Sequence, residues 1–327
     1  MKKCLSFVLM VLITVLMFTS CTAGKPAEAN EKGPVSTPEQ IPAASADATA
    51  TPPVENTGSY PMKITDSRGN VTQLDKEPMK VISLSPNITE IIYALDRGDR
   101  LVGRTAFCDY PQETQSVTVV GDFIEWNFET ILALEPDVVF ASALNTEENE
   151  KKLKELGIQI VFLTQDESFE STYETIGMIA KVLNAEGESS AIIKDMQQTV
   201  AEVQNSVKGL DKPTVYYVVG YGEYGDYTAT GETFIASMLE LAGGDNIAAN
   251  ITGWVYSLEK LMENDPYMIL CSEDAKQVFQ QTNGYKELTA VKDGRIYVVD
   301  ENILMRQGPR LAEGLRKLAE IMHPESF

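Results

Sequence analysis

Residues 126–140 read W-N-F-E-T-I-L-A-L-E-P-D-V-V-F, and residues 256–270 read Y-S-L-E-K-L-M-E-N-D-P-Y-M-I-L. The two stretches align without a gap. Each holds a capping residue (Asn127, Ser257), a Glu two positions on (Glu129, Glu259), a Pro seven after that (Pro136, Pro266) and then an apolar strand. A cap ahead of apolar residues at helical spacing marks a helix start, and a proline marks its end. A recurring helix-to-strand unit predicts two related lobes.

The surrounding sequence carries the same alternation. Met62–Thr65 and Val71–Leu74 flank Asp66-Ser67-Arg68-Gly69-Asn70, a small hairpin. Val81–Leu84 reads as a buried strand and Ser85-Pro86-Asn87 as a helix start, with Ile88, Ile91, Ile92 and Leu95 on one face. Val119–Val120, Asn127–Leu134, Val138–Phe140, Glu147–Leu156 and Ile160–Leu163 continue strand and helix in turn, as a parallel sheet requires. Glu186–Lys208 contains no Pro and only Gly187, and its apolar residues Ile192, Ile193, Met196, Val200, Val203 and Val207 keep near-helical spacing. Such a helix spans about 33 Å, enough to join two lobes. Beyond it the alternation resumes with strand Thr214–Val219, helix Thr233–Leu241, Gly243-Gly244, helix Ser257–Met262, and strands Tyr267–Leu270 and Ile296–Val299. A final helix carries Leu311, Leu315, Leu318, Ala319 and Met322, and His323-Pro324 ends it. The fold class is α/β: two lobes with parallel-rich sheets (61–185 and 210–327) joined by one long helix (186–209).

Composition removes whole classes of function. The 327 residues carry 27 Lys+Arg against 48 Asp+Glu, a net charge of −21, which repels nucleic acids and anionic lipid head groups. A single histidine, His323, leaves no material for a His-based triad or a multi-His metal site. GxSxG, HExxH, Walker and CxxC signatures are missing. No catalytic or metal-ligating set is predicted, and no resident cofactor. The string G-Y-G-E-Y-G at 220–225 is a formal GxGxxG. A dinucleotide site needs those glycines to open directly into a helix, whereas Asp226-Tyr227-Thr228-Ala229-Thr230-Gly231 follows here. It reads as an aromatic glycine loop.

Lys2 and Lys3, an apolar run from Leu5 to Phe18 and then Thr19-Ser20-Cys21 read as an export signal over residues 1–20. F-T-S-C resembles the bacterial lipoprotein signal, in which the cysteine becomes the lipidated first residue. Cleavage removes two lysines and no acid, taking the net charge to −23. Residues 21–60 follow as a lipidated Cys and a tether; 22–60 hold six of the fifteen prolines and almost no large apolar residue, a composition that cannot bury enough surface to order itself. Cys108 and Cys271 fall in different lobes and read as buried, unpaired thiols.

Aromatic residues gather where loops at the carboxyl ends of strands belong: Tyr110, Phe123, Trp126, Tyr221, Tyr224, Tyr227 and Trp254. In open α/β lobes ligands bind outside those strand ends. Together the rings predict an apolar, flat-walled cleft for a large ligand. Glu129 and Glu259 suit the first turn of a helix through its dipole alone, but their equivalent places beside the cleft ask for more.

V-I-S-L-S-P-N-I-T-E-I-I-Y-A-L with D-R-L-V-G-R-T (81–105), C-D-Y-P-Q-E (108–113), L-E-P-D-V-V-F (134–140), L-A-G-G-D-N-I (241–247) and R-Q-G-P-R-L-A-E-G-L (306–315) resemble the periplasmic-binding-protein family serving ABC importers of iron–siderophores, haem and cobalamin. The resemblance implies two lobes on one rigid helix with ligand held between them. It implies a protein that hands its ligand to a permease dimer driven by ATPase subunits; with the lipoprotein signal, the expectation is a monomer anchored by its lipid on the outer face of the cytoplasmic membrane or on the periplasmic side. Glu129 and Glu259 resemble the family's two docking glutamates. Tyr110 resembles the D-Y-P tyrosine of the cobalamin-binding members, with aromatics matching the Phe123 and Trp254 regions. Arg104, Arg306 and Arg310 are the evident cations, and Arg306 is counted among the ligand residues. A cleft rich in aromatics and poor in bases favours a corrinoid over an anionic chelate; a ferric siderophore or haem in the same role is the alternative, since aromatic loops also suit haem and neutral siderophores. An exported enzyme or ligand sensor on this scaffold is the alternative of another class.

Overall fold

In the computed structural model the described residues are 60–142, 147–163, 168–222 and 225–327, all within one unit, Pro53–Phe327. The export signal, Cys21, the tether up to residue 59 and Tyr224 lie outside them. Strands β1 (Met62–Thr65) and β2 (Val71–Leu74) pair antiparallel as a hairpin. Asp66 closes its tip by accepting from the backbone N–H of Arg68 and Asn70 at 2.9 and 2.8 Å.

The first lobe runs β3 (Val81–Ser83), α1 (Pro86–Ala94), β4 (Leu101–Arg104), β5 (Thr118–Val119), α2 (Phe128–Ala133), β6 (Val138–Ser142), α3 (Glu147–Glu155), β7 (Ile160–Leu163) and α4 (Phe169–Leu183). Its strands form a parallel sheet in the order β5-β4-β3-β6-β7. Pro86 opens α1 at a position where its missing N–H costs no hydrogen bond. Helix α4, which the alternation above did not foresee, is capped by Ser168, whose side chain accepts from the N–H of Ser171, and ends on the left-handed Asn184.

Helix α5 (Glu186–Val207) has 22 residues and packs against α4. Only Ser189, Met196 and Val203 along it are buried, one every two turns, with Ile192, Ile193, Val200 and Val207 packed beside them.

The second lobe runs β8 (Thr214–Gly220), β9 (Tyr227–Thr228), α6 (Phe234–Leu241), β10 (Asp245–Asn246), α7 (Leu258–Asn264), β11 (Met268–Cys271), α8 (Glu273–Gln281), α9 (Thr289–Lys292), β12 (Ile296–Val298), α10 (Glu301–Met305) and α11 (Leu311–Met322). The sheet is parallel in the order β10-β8-β11-β12, with β9 antiparallel beside β8. Helix α11 lies along α5. His323, at its end, sits 3.1 Å from the carbonyl of Gly243, where a Cβ would strike the imidazole at 2.6 Å.

Strand alternation distributes the core. Val138 and Phe140 of β6, Val215 and Tyr217 of β8, and Met268 and Leu270 of β11 face one cluster shared by both lobes and α5. Their neighbours Val139 and Ala141 pack into a second cluster confined to the first lobe. Tyr216, Val218, Ile269 and Cys271 pack into a third, confined to the second lobe. Cys108 and Cys271 are both buried and free. Among the described residues no helix is long and apolar enough to cross a membrane.

Candidate functional site

The repeated unit is repeated in three dimensions. Asn127 accepts from the N–H of Thr130 at 3.0 Å and Ser257 from that of Lys260 at 3.3 Å, so α2 and α7 start on equivalent caps. Each helix closes on a left-handed acid, Glu135 or Asp265, directly before its proline. Glu129 and Glu259 stand exposed in the first turns. Leu132 and Met262, one turn further on, are also exposed at 49% and 46%. Two exposed acids beside exposed apolar side chains thus occupy matching positions in the two lobes.

Between the lobes lies a cavity of about 470 Å³. The first lobe lines it with Ser85, Pro86 and Asn87 after β3, Phe107 after β4, Phe123 after β5, and Ser142 and Leu163 at the ends of β6 and β7. These are the carboxyl ends of parallel strands, where the topology opens a crevice. The second lobe contributes Asn302, Met305, Arg306 and Gln307 from α10 and the turn after it. Phe107 stacks on Phe123 with ring centroids 4.5 Å apart and planes 8° from parallel. Apolar walls with a few neutral amides and hydroxyls describe a site that recognises shape and places hydrogen bonds.

The charges at its edge are paired. Glu90 of α1 is buried and accepts from Arg310 Nε at 2.8 Å, Arg310 Nη2 at 2.6 Å and Arg306 Nη1 at 3.1 Å. Arg306 Nη1 also donates to Asp109 Oδ1 at 2.6 Å, and Arg310 lies 3.8 Å over the ring of Tyr110. Burial works against both guanidinium charges, but the bonds to Asp109 and Glu90 prevail and raise their pKa. The bond from Arg306 holds the Asp109 carboxyl below its ordinary range. Arg104 is buried, donating to the carbonyls of Thr114 and Thr105 at 2.7 and 2.9 Å, so it braces the loop that carries Tyr110.

Of the aromatic residues singled out by sequence, Phe123 lines the cavity and Tyr110 sits at its charged edge. The expectation for Trp126 is corrected. It is 7% exposed in the first-lobe core with Ile131, the hydrophobic-staple partner four residues past the cap; Tyr256 and Leu261 repeat the arrangement in the second lobe. Its alignment with Tyr256 was the available signal. Tyr221 packs edge-on against Phe279, and Tyr227 covers Gly220, where a Cβ would meet its ring at 2.9 Å. Trp254, left-handed at φ +68° and 39% exposed, is held by a bond from its N–H to Thr230 Oγ1. None of these three lines the 470 Å³ cavity. The glycine loop leads into β9 rather than a helix, and the N–H of Gly222 donates to the hydroxyl of Tyr285, itself bonded to Asp226. Burial raises the pKa of Asp226 and pushes that of Tyr285 up to about 12. Sequence reasoning missed Phe107, Met305 and Glu90; A-F-C-D-Y-P after a strand was the one signal for Phe107.

Residues 81–303 match the family model described as periplasmic binding protein. The uncharacterized ABC transporter substrate-binding lipoprotein YvrC of Bacillus subtilis (strain 168) is 33% identical over 84% of this chain and 89% of its own length. A cobalamin-binding protein of Halobacterium salinarum is 27% identical over 81% of this chain and 75% of its own. Among solved structures, a "possible" iron-binding (periplasmic solute-binding) protein from Staphylococcus epidermidis ATCC 12228 superposes with a TM-score of 0.66 at 28% identity, covering 76% of this chain and all of that one. The chain belongs to the periplasmic binding protein family, and the role that goes with membership is that of an ABC importer's substrate-binding protein.

Proposed function

We propose that this protein is a lipid-anchored, extracytoplasmic receptor that captures a corrinoid and delivers it to an ABC permease. One observation carries the choice of ligand: Arg306, the cationic side chain lining the cavity, is ion-paired within the protein to Glu90 and Asp109. An anionic ferric chelate would have to compete with two carboxylates for that guanidinium. A large uncharged ligand needs apolar walls and neutral hydrogen-bonding groups, which Phe107, Phe123, Leu163, Met305, Asn87 and Asn302 supply. Haem is the weaker alternative, because the described lining residues include no His, Tyr or Cys to bind its iron axially and offer only the thioether of Met305. The cobalamin-binding relative supports the same choice.

Cys21 carries the lipid in this reading. Glu129 and Glu259 dock, one per lobe, against cationic pockets of a two-subunit permease, where paired charges set orientation and encounter rate. The binding protein acts as a monomer and transforms nothing; ATP hydrolysis belongs to other subunits. Calorimetric titration with cyanocobalamin tests the ligand. Saturable binding at low micromolar Kd or tighter, with the corrinoid recovered intact, is the expected result. Binding of a ferric siderophore or haem with no response to cyanocobalamin would discard the corrinoid, and turnover of any bound chelate would revive an enzyme on this scaffold.

A further inference from the structure

Glu90 is 4% exposed and belongs to the first lobe, yet its three hydrogen-bond partners are guanidinium nitrogens of the second. One of those guanidiniums, Arg306, is at once a wall of the cavity and a partner of Asp109. Two positive and two negative charges therefore meet at the edge of a cavity whose other described lining side chains are uncharged. Glu90 does not line the cavity; it reaches the ligand only through Arg306.

We propose that Glu90 is a specificity-determining residue: by neutralising Arg306 and Arg310 together with Asp109, it bars anionic ligands from the cleft and reserves it for uncharged ones. The physical basis is the weak screening of a partly buried charge. Removing the carboxylate's charge while keeping its shape leaves the Arg306, Arg310 and Asp109 cluster with a net positive charge, with Arg306 facing the cavity, where a carboxylate-bearing ligand recovers the lost pairing. The inference rests on the cavity being the ligand site of the proposed function, not on the ligand being a corrinoid.

The test is calorimetric binding of ferric dicitrate, an anionic chelate, to the wild type and to Glu90→Gln, with folding verified by circular dichroism. Glu90→Gln should bind ferric dicitrate about tenfold or more tightly than the wild type, and the gain should fade as NaCl rises from about 0.05 to 0.5 M. Adding Arg306→Gln should abolish it. Unchanged or weaker ferric dicitrate binding by folded Glu90→Gln, a gain that survives Arg306→Gln, or tight binding by the wild type would each overturn the proposal. If Glu90→Gln does not fold, Asp109→Asn decides: Asp109 is exposed, its loss unmasks the same guanidinium, and it should give a smaller gain of about threefold in the same direction. No gain there overturns the proposal. Cyanocobalamin is titrated alongside. Its failure to bind the wild type, with the ferric dicitrate gain intact, would discard the corrinoid and leave the role of Glu90 standing.

Discussion

Arg310 holds Glu90 by both carboxylate oxygens, with Nε 2.8 Å from Oε2 and Nη2 2.6 Å from Oε1, and so fastens the turn before α11 to helix α1 of the other lobe. A two-point pair fixes orientation as well as distance. Truncating one side of a buried pair strands the other, so Glu90→Ala should cost about 3–5 kcal/mol of stability. Urea unfolding measures this; a loss below 1 kcal/mol would mean that the arginines find water or another carboxylate.

Asp109 predicts a pH response. Its folded pKa is depressed, chiefly by the bond from Arg306, so its contribution is complete above the unfolded value near 3.9 and is lost as pH falls through the lower folded value. Asp109→Asn should therefore flatten the decline of Tm below about pH 4, relative to the wild type. Parallel melting curves for the two proteins from pH 5 to about pH 2.5 would show that the pair adds nothing to folding.

Trp126 and Phe123 are three residues apart and should behave oppositely. Trp126→Ala empties a buried staple site and should cost about 3–5 kcal/mol in urea unfolding. Phe123→Ala and Phe107→Ala remove one ring of an accessible stacked pair, with Phe107 50% exposed. Either should weaken ligand binding about tenfold at a cost below about 1 kcal/mol in stability. The reverse assignment would move the ligand out of this cavity.

Docking predicts a separation of functions. Glu129→Ala combined with Glu259→Ala should abolish uptake in cells while calorimetry shows unchanged ligand affinity. Leu132→Asp and Met262→Asp, on the same helices one turn along, should each slow uptake without altering ligand affinity. Loss of affinity in the glutamate variant would refute the docking role.

Much of the frame was legible because local chemistry wrote it. Caps at Asn127 and Ser257, the prolines seven residues past each glutamate, and the apolar spacing of Glu186–Lys208 are short-range signals that the structure reproduces in α2, α7 and α5. Strand β4 was legible only as the strand that had to precede the loop carrying Tyr110, without bounds of its own. Its Gly103 lies where a Cβ would meet Val120, Ile82 and Leu134 at 2.9–3.1 Å, so contacts with distant residues, not its own pattern, place it in the sheet. Helix α8 buries only Ala275 and Phe279, and α4 mixes β-branched residues and a glycine that favour helix weakly.

The site divides along the same line. That aromatic residues crowd the loops at strand ends, and that equivalent glutamates open two helices, follows from sequence because each depends on neighbours a few positions away. Which rings turn outward does not: Trp126 and Phe123 share one loop and face a core and a cavity. The charge of the cleft is further still from local reading, since Glu90 meets Arg306 and Arg310 across 216 and 220 residues of chain. Three arginines looked available for an anion in the sequence. Folding gives two of them to one buried carboxylate and the third to a pair of carbonyls, because a buried charge is tolerable only when paired or fully hydrogen-bonded, and the partners come from wherever the chain brings them.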